Sequence, residues 1–235
     1  MSTPRSEFIA GSKAVLPILI GVLPFALIAG VSAVATGMAE FEGIGMSLIV
    51  YAGAAQLVAM QLIGLDTPLF IIWLSTLFIN LRFLMYSASI APHWEKMTWR
   101  WKIPMAYLLT DQAYAVSLLH YDAHPQGKNR RYYYLGAAIP FWVMWQTGTA
   151  VGVFVGVLIP DSWQLDFAIP LTFLALMMAT IKDWSMVAAG IAAGITIIVA
   201  KPLPYNLGLL LAAVIGISVG FITQSHLVQR QSRNN

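Results

Sequence analysis

Two ionisable side chains stand where ionisable side chains are expensive. Arg82 lies near the middle of the apolar stretch 67–91, and Asp111 near the middle of 104–121. At the centre of a membrane helix each costs about 2.5–3.5 kcal/mol on insertion scales, so their retention there marks a partner or a function. An arginine fork can take a carboxylate, and a carboxylate can take an ammonium or a proton. The two can also pair as a staple between helices. Helical spacing extends both positions. Ser75, Arg82, Tyr86 and Ser89 share one face, with Thr76, Asn80 and Ser87 roughly opposite, and Tyr107, Asp111 and Tyr114 form a similar face. Gln56 sits among the small residues Ala52, Gly53, Ala55 and Ala59, which leave room for a ligand or a backbone break. These groups suit a small zwitterion with an apolar side chain. They fit a lone cation less well, because a channel filter needs repeated charged or carbonyl rings and none is evident.

The elements that hold these groups follow from composition. Of 235 residues, 59% are hydrophobic and 10% charged, and mean hydropathy is +0.74. Soluble domains carry about 25% charged residues, so the chain reads as an integral membrane protein. Disorder, a disulfide scaffold and a water-soluble enzyme are excluded, and a net charge of +3 gives no basis for nucleic-acid binding. The absence of cysteine removes thiolate metal sites and thiol nucleophiles. A spanning helix needs about 20 apolar residues, and the polar breaks leave eight candidates: 14–36, 44–64, 67–91, 104–121, 135–158, 166–181, 184–200 and 205–224. The expected fold is an all-α polytopic bundle of seven or eight transmembrane helices, one domain over 1–235 with tails at 1–13 and 225–235. A signal peptide ending near Ala33-Val34-Ala35 is the lesser reading, because the charge-free run 14–39 is long enough to span.

Orientation poses a conflict. The two most basic loops, around 96–102 and 128–131, are separated by a single candidate span, so the positive-inside rule cannot satisfy both. Either one loop lies outside, or a segment such as 44–64 or 104–121 does not fully cross. Arg5, Lys13, Arg230 and Arg233 favour both termini inside, with Glu40, Glu42, Asp161 and Asp166 opposite. Trp94, Trp99, Trp101, Tyr132, Tyr133 and Tyr134 read as interfacial anchors. Gly148, Gly152 and Gly156 recur every four residues and give a smooth face for helix packing within the chain or for a separate subunit. Gly190 with Gly194, and Gly216 with Gly220, repeat that spacing. Pro17, Gly21, Pro24 and Pro170 interrupt the hydrogen-bond ladder and can expose backbone groups to a cavity, or simply kink their helices.

No enzyme constellation emerges. His93, His120, His124 and His226 are isolated from any metal-ligand or paired-carboxylate pattern, and Ser47 in Gly45-Met46-Ser47 lacks a histidine partner at a suitable depth. The expectation is no catalytic residue, metal or cofactor. A non-transporting scaffold has no use for a costly midplane pair.

Tyr51-Ala-Gly-Ala-Ala-Gln56, Asn80-Leu-Arg82 followed by Tyr86-Ser87, Thr110-Asp111, Pro24-Phe25 and Ile169-Pro170-Leu171-Thr172-Phe173 together resemble the AzlC-type branched-chain amino acid exporters. The resemblance implies a multi-pass bacterial inner-membrane exporter of valine, leucine, isoleucine and methionine, driven by protons. It also implies a small AzlD-type membrane subunit that could dock on the Gly148, Gly152 and Gly156 face. Phe83 stands where the family pattern has His, and Gln112 where it has Glu, which leaves Asp111 as the coupling candidate. The expected substrate site is Arg82 for the carboxylate, with Asn80, Gln56, Tyr51 and Tyr86 around it and Asp111 paired to Arg82 or carrying the proton. A likeness between the segments starting at Pro24 and Pro170 hints at an inverted repeat.

Overall fold

The computed structural model describes residues 3–125, 127, 129–158, 181, 183–203 and 207–234, with side chains as far as 225. All but the last residue of the candidate span 166–181, with Pro170, Asp161, Asp166 and the side chain of His226, lie outside the described residues. The chain divides into two compact units: Met1–Gly64 with Thr76–Leu165, and Leu65–Ser75 with Asp166–Asn235. All regular structure among the described residues is helical, as a chain in lipid requires when each backbone N–H must find its partner within its own segment.

The first unit is built on two long helices, α1 (Pro4–Ala35) and α8 (Arg130–Leu158). A capping box at Thr3 and Ser6, with Pro4 at the first helical position, starts α1. The two helices run parallel, since Phe8 meets Gly136, Ala26 meets Gly148, and Leu27 and Gly30 meet Gly152. A Cβ on Gly152 would overlap the Leu27 carbonyl, and one on Gly30 the Thr149 carbonyl. Gly148, Gly152 and Gly156 therefore seat α8 against α1, and that face is filled by the chain itself. Pro17 and Pro24 remove two ladder bonds, yet α1 passes through both without a break.

Between these helices the chain does something that segment length conceals. Residues 40–64 form two short helices, α2 (Glu40–Val50) and α3 (Gly53–Gly64), separated at Tyr51, whose φ of 20° and ψ of 52° leave the helical region. On the way in, α2 passes from Gly43 beside Ala33 to Ser47 beside Trp145. On the way out, α3 passes from Gly53 beside Phe25 and Trp145 to Gly64 beside Thr36. The pair thus enters beside the carboxyl end of α1, reaches mid-depth and returns to the same face. A second pair does the same from the other face. α6 (Trp99–Tyr107) descends from Trp101, which packs on Tyr132, to Tyr107, which bonds Trp142. α7 (Asp111–Ala123) then climbs back to His120 beside Glu7 and to Tyr121 beside Arg130. At 1.5 Å per residue α6 and α7 reach about 13 and 20 Å, each short of a hydrocarbon core of about 30 Å.

Linking the pairs, α4 (Leu69–Asn80) and α5 (Arg82–Trp94) form one apolar course of 26 residues. It bends at Leu81, where Leu81 and Leu84 make i→i−3 bonds, and spans about 39 Å. Gly64 fixes the face it leaves, and Trp94, stacked edge-on against Tyr134 at 4.8 Å, fixes the face it reaches. A crossing helix followed by a re-entrant pair therefore occurs twice in opposite senses, α1 with α2–α3 and then α4–α5 with α6–α7. The candidate spans 44–64 and 104–121 both turn back, and both basic loops come to one face. That resolves the conflict in the charge pattern.

In the second unit α9 (Trp184–Val199) and α10 (Leu207–Asn234) pack antiparallel, with Gly216 and Gly220 against Ala189 and Ala193. Asp183 caps α9, its carboxylate accepting from the Met186 N–H at 2.9 Å. Gly190 and Gly194 have no neighbour within 4 Å among the described residues. Large apolar side chains face outward on the long helices, among them Ile20, Leu158 and Phe221, which are 72–80% exposed, as a hydrocarbon solvent requires.

Candidate functional site

The tips of both re-entrant pairs meet at mid-depth of the first unit. There Tyr51, Ala52, Gly53 and Ala54 from one tip and Thr110, Asp111 and Gln112 from the other face Arg82 and Phe83 of α5. Val22 and Phe25 of α1 and Phe141 and Trp145 of α8 close the back, around a cavity of about 100 Å³.

Breaking a helix in a membrane strands terminal carbonyls, and side chains reach two of those in the last turn of α2. At the end of α2 the Ser47 carbonyl accepts from Gln146 Nε2 at 3.1 Å, and the Leu48 carbonyl accepts from the Tyr107 hydroxyl at 2.6 Å. Trp145 Nε1 donates to Ser47 Oγ, and Trp142 Nε1 donates to the Tyr107 hydroxyl, both at 3.0 Å. The tip of α2 is thus tied to α8 and to the opposing tip. The N-terminal end of α3 is treated differently. Ala52 precedes it and offers no side-chain oxygen, and Ala52, Gly53 and Ala54 line the cavity, so the positive end of the helix dipole lies at its edge. The N-terminus of α7 is neutralised instead: Thr110 Oγ1 accepts from the Ala113 N–H at 3.3 Å, and Asp111 puts its carboxylate in the first turn.

Arg82 and Asp111 pair directly, with Nη1 to Oδ2 at 2.5 Å. About a third of each side chain remains accessible, 33% and 37%, and both line the cavity. The guanidinium also lies 5.2 Å from the centroid of Phe83, and its Nε is buried with no partner. The remaining wall is aromatic. Phe25 and Trp145 meet edge-to-face at 5.4 Å, and Gly53 leaves space for them, because a Cβ there would press on the Trp145 ring.

Of the residues singled out from sequence, Tyr51, Arg82 and Asp111 come together at this cavity. Asn80 lines a neighbouring cavity of about 190 Å³ on the other side of Phe83, which it shares with Tyr51, Ser87 and Tyr107. Gln56 is fully buried one turn beyond Gly53, both amide atoms lack partners, and it lines neither cavity. Tyr86 stands one turn from Arg82, stacked on Tyr114 at 4.6 Å, with the Tyr114 hydroxyl bonded to Ser89. Sequence reasoning missed Trp145, Phe141 and Phe83 as walls and Tyr107 as the tie. The available signal was a tryptophan, Trp145, in the middle of an apolar run rather than at its end. Among the described residues no group of three or more His, Asp or Glu is placed to hold a metal.

A model of the AzlC protein family matches residues 17–159, the segment that carries the whole cavity. The chain belongs to the AzlC family. Among curated members of this kind, it is 27% identical to the inner membrane protein YgaZ of Escherichia coli over 186 residues, covering 75% of this chain and 74% of that protein. An uncharacterized membrane protein of Archaeoglobus fulgidus is 33% identical over 179 residues, 74% of this chain and 75% of that protein. One from Helicobacter pylori is 29% identical over 182 residues, 75% of this chain and 78% of that protein. No solved structure matches the chain. Membership of the AzlC family and, among the described residues, four helices long and apolar enough to cross a bilayer make it a membrane protein.

Proposed function

We propose that the chain exports branched-chain and other hydrophobic amino acids (valine, leucine, isoleucine and methionine) by alternating access around the mid-depth cavity. The observation that carries this reading is that one small cavity holds an uncapped helix N-terminus, an accessible guanidinium–carboxylate pair and an aromatic wall. The carboxylate of the substrate binds the first turn of α3 and Arg82, which combine a helix dipole with a charged fork. Its ammonium replaces Arg82 as partner of Asp111, and its side chain lies against Phe25, Phe141 and Trp145. Protonation of Asp111 releases Arg82 and the ammonium together and couples transport to a proton.

The face carrying Arg5, Lys13, Lys96, Arg100, Lys102, Arg130 and Arg131 is the cytoplasmic one by the positive-inside rule, since residues 36–81 between the opposite ends hold no Lys or Arg. This puts the N-terminus inside, in the inner membrane of a bacterium. A small AzlD-type subunit completes the assembly on a surface other than the Gly148, Gly152 and Gly156 face, which α1 fills.

The test is efflux of preloaded radiolabelled leucine and methionine from cells making this chain with a small AzlD-type subunit. Wild type exports both, and Arg82→Ala and Asp111→Asn, inserted at equal abundance, do not. Export by both variants at the wild-type rate overturns the assignment of the cavity. A non-transporting role is favoured if wild type exports neither.

A further inference from the structure

The second re-entrant pair opens at its base on another cavity, of about 590 Å³, much larger than the one at its tip. His93, Glu95 and Lys96 from the end of α5 and Gly127, Arg130 and Arg131 from the start of α8 line it. Among the described residues, three cations from two separate segments therefore converge on one space against a single carboxylate. Their positions are set, and by different means. Arg130 is spent on the fold: Nη1 donates to His93 Nδ1 at 2.8 Å, Nη2 donates to the Pro125 carbonyl, and the guanidinium lies 5.3 Å from the Tyr121 ring. Arg131 is held between the rings of Trp101 and Tyr132, at 4.8 and 4.9 Å, with one Nη2 bond to the Tyr132 hydroxyl at 3.3 Å. A guanidinium has five N–H donors, so most of those of Arg131 remain for a ligand. The Lys96 ammonium makes no hydrogen bond among the described residues, and its side chain is exposed.

Like charges gathered around open space repel unless an anion sits between them. The depth of this space says which anion. It lies where α5, having crossed the membrane, ends, and where α6 and α8 begin, beside Trp99, Trp101 and Tyr132. Aromatic rings of that kind mark the headgroup level of a bilayer. Basic pockets between helices at this level take lipid phosphates. We propose that this cavity is a phosphate-anion site, filled in the membrane by the headgroup of an anionic phospholipid that Lys96 and Arg131 grip while Arg130 supplies fixed positive charge. Free phosphate has the same oxyanion chemistry, and the test separates the two. Glu95, Lys96 and Met97 lead into α6, and Pro125 and Gly127 lead out of α7, so an occupant ties together the two ends of the helix pair whose tip carries Asp111.

The experiment uses the full chain purified in a neutral detergent and titrated with phosphatidylglycerol, phosphatidylcholine or inorganic phosphate, read by native mass spectrometry. Lys96→Gln with Arg131→Gln removes the grip. Arg100→Gln with Lys102→Gln removes the same charge from the first turn of α6, outside the cavity. Lys96→Gln alone, at an exposed position, guards against misfolding of the double variant. Wild type retains phosphatidylglycerol in preference to phosphatidylcholine. The cavity pair weakens that binding about thirtyfold, as expected for two surface charges, and Lys96→Gln alone about fivefold. The control pair changes it less than either. Inorganic phosphate that binds alone and displaces the lipid supports the oxyanion site with free phosphate as a competing occupant. Equal retention of the two lipids, or equal weakening by the cavity and control pairs, overturns the proposal in favour of diffuse surface charge. None of these readouts depends on which molecule the central cavity transports.

Discussion

Neutralising one member of the Arg82–Asp111 pair should cost stability as well as transport, and neutralising both should separate the two losses. At 2.5 Å the pair is a charge-assisted hydrogen bond, but each side chain is about a third open to the cavity, so solvent screens part of the attraction. Breaking a fully buried pair costs about 3–5 kcal/mol, mostly because the survivor is left charged without a partner. Screening by cavity water lowers the expectation here to about 2 kcal/mol for Arg82→Gln or Asp111→Asn. The double variant leaves no orphan charge and should recover most of that loss. Transport should not recover. The substrate carboxylate loses a bond to a charged donor worth about 1.5–3 kcal/mol, or roughly a ten- to hundredfold drop in apparent affinity. The assay is membrane abundance and thermal unfolding in detergent for all four proteins, with amino acid efflux measured at matched abundance. A double variant as unstable as the worse single variant would refute the view of the pair as mutually compensating. A double variant that exports like wild type would reduce the pair to a staple.

The chain has no cysteine, so single introduced thiols report topology cleanly. Lys96→Cys and Gly127→Cys should react with an impermeant maleimide from the same side of the membrane, whereas a fully crossing 104–121 puts them on opposite sides. Gly53→Val should force the Trp145 ring aside and depress efflux of leucine more than that of alanine, measured as a ratio of rates at equal abundance. Tyr107→Phe leaves the Leu48 carbonyl without its donor and should lower unfolding stability by about 1–3 kcal/mol; an unchanged melting temperature argues against the tie. The N–H of Met186 bonded to Asp183 holds that carboxyl below its usual range. The depressed value means that the cap stabilises α9 above the unfolded pKa of about 4 and is lost as pH falls through the folded value. Unfolding followed from pH 6 downward should therefore show an acid-dependent loss that Asp183→Ser, an uncharged cap, lacks.

The membrane class and the meeting of Arg82 with Asp111 were legible because both rest on cost: apolar length is required to span, and charge inside needs a partner. The paths of 44–64 and 104–121 were not legible from hydropathy, since about 20 apolar residues have the same composition whether they cross or reach the middle twice. The clue lay elsewhere, in two basic loops that could not both be inside if 104–121 crossed. Proline misled about where backbone breaks occur. Pro17 and Pro24 sit within a continuous α1, whereas the chain opens at Tyr51 and at 108–110, where no proline stands but side-chain donors reach the preceding turn: Tyr107 and Gln146 before Tyr51, and Tyr134 at the Met105 carbonyl before 108–110. Gln56 looked like a site residue by its small neighbours, but only Ala52 and Gly53 of these line the cavity, while Gln56, Ala55 and Ala59 are buried in the packing of α3.

Two half-depth hairpins meeting from opposite faces also shape the electrical profile of the molecule. A conventional bundle spreads the membrane voltage along the full length of its helices. Here water that enters as far as either tip brings the bulk potential with it, and the voltage falls across the thin septum of Tyr51, Arg82 and Thr110. A unit charge moved across the whole membrane changes energy by about 2.3 kcal/mol per 100 mV, and one moved from mid-depth to either side by about half of that. A zwitterion has no net charge to feel this field. Any voltage dependence of the transport cycle is then a measure of how far the charges of Arg82 and Asp111, or a proton between them, are displaced relative to the septum.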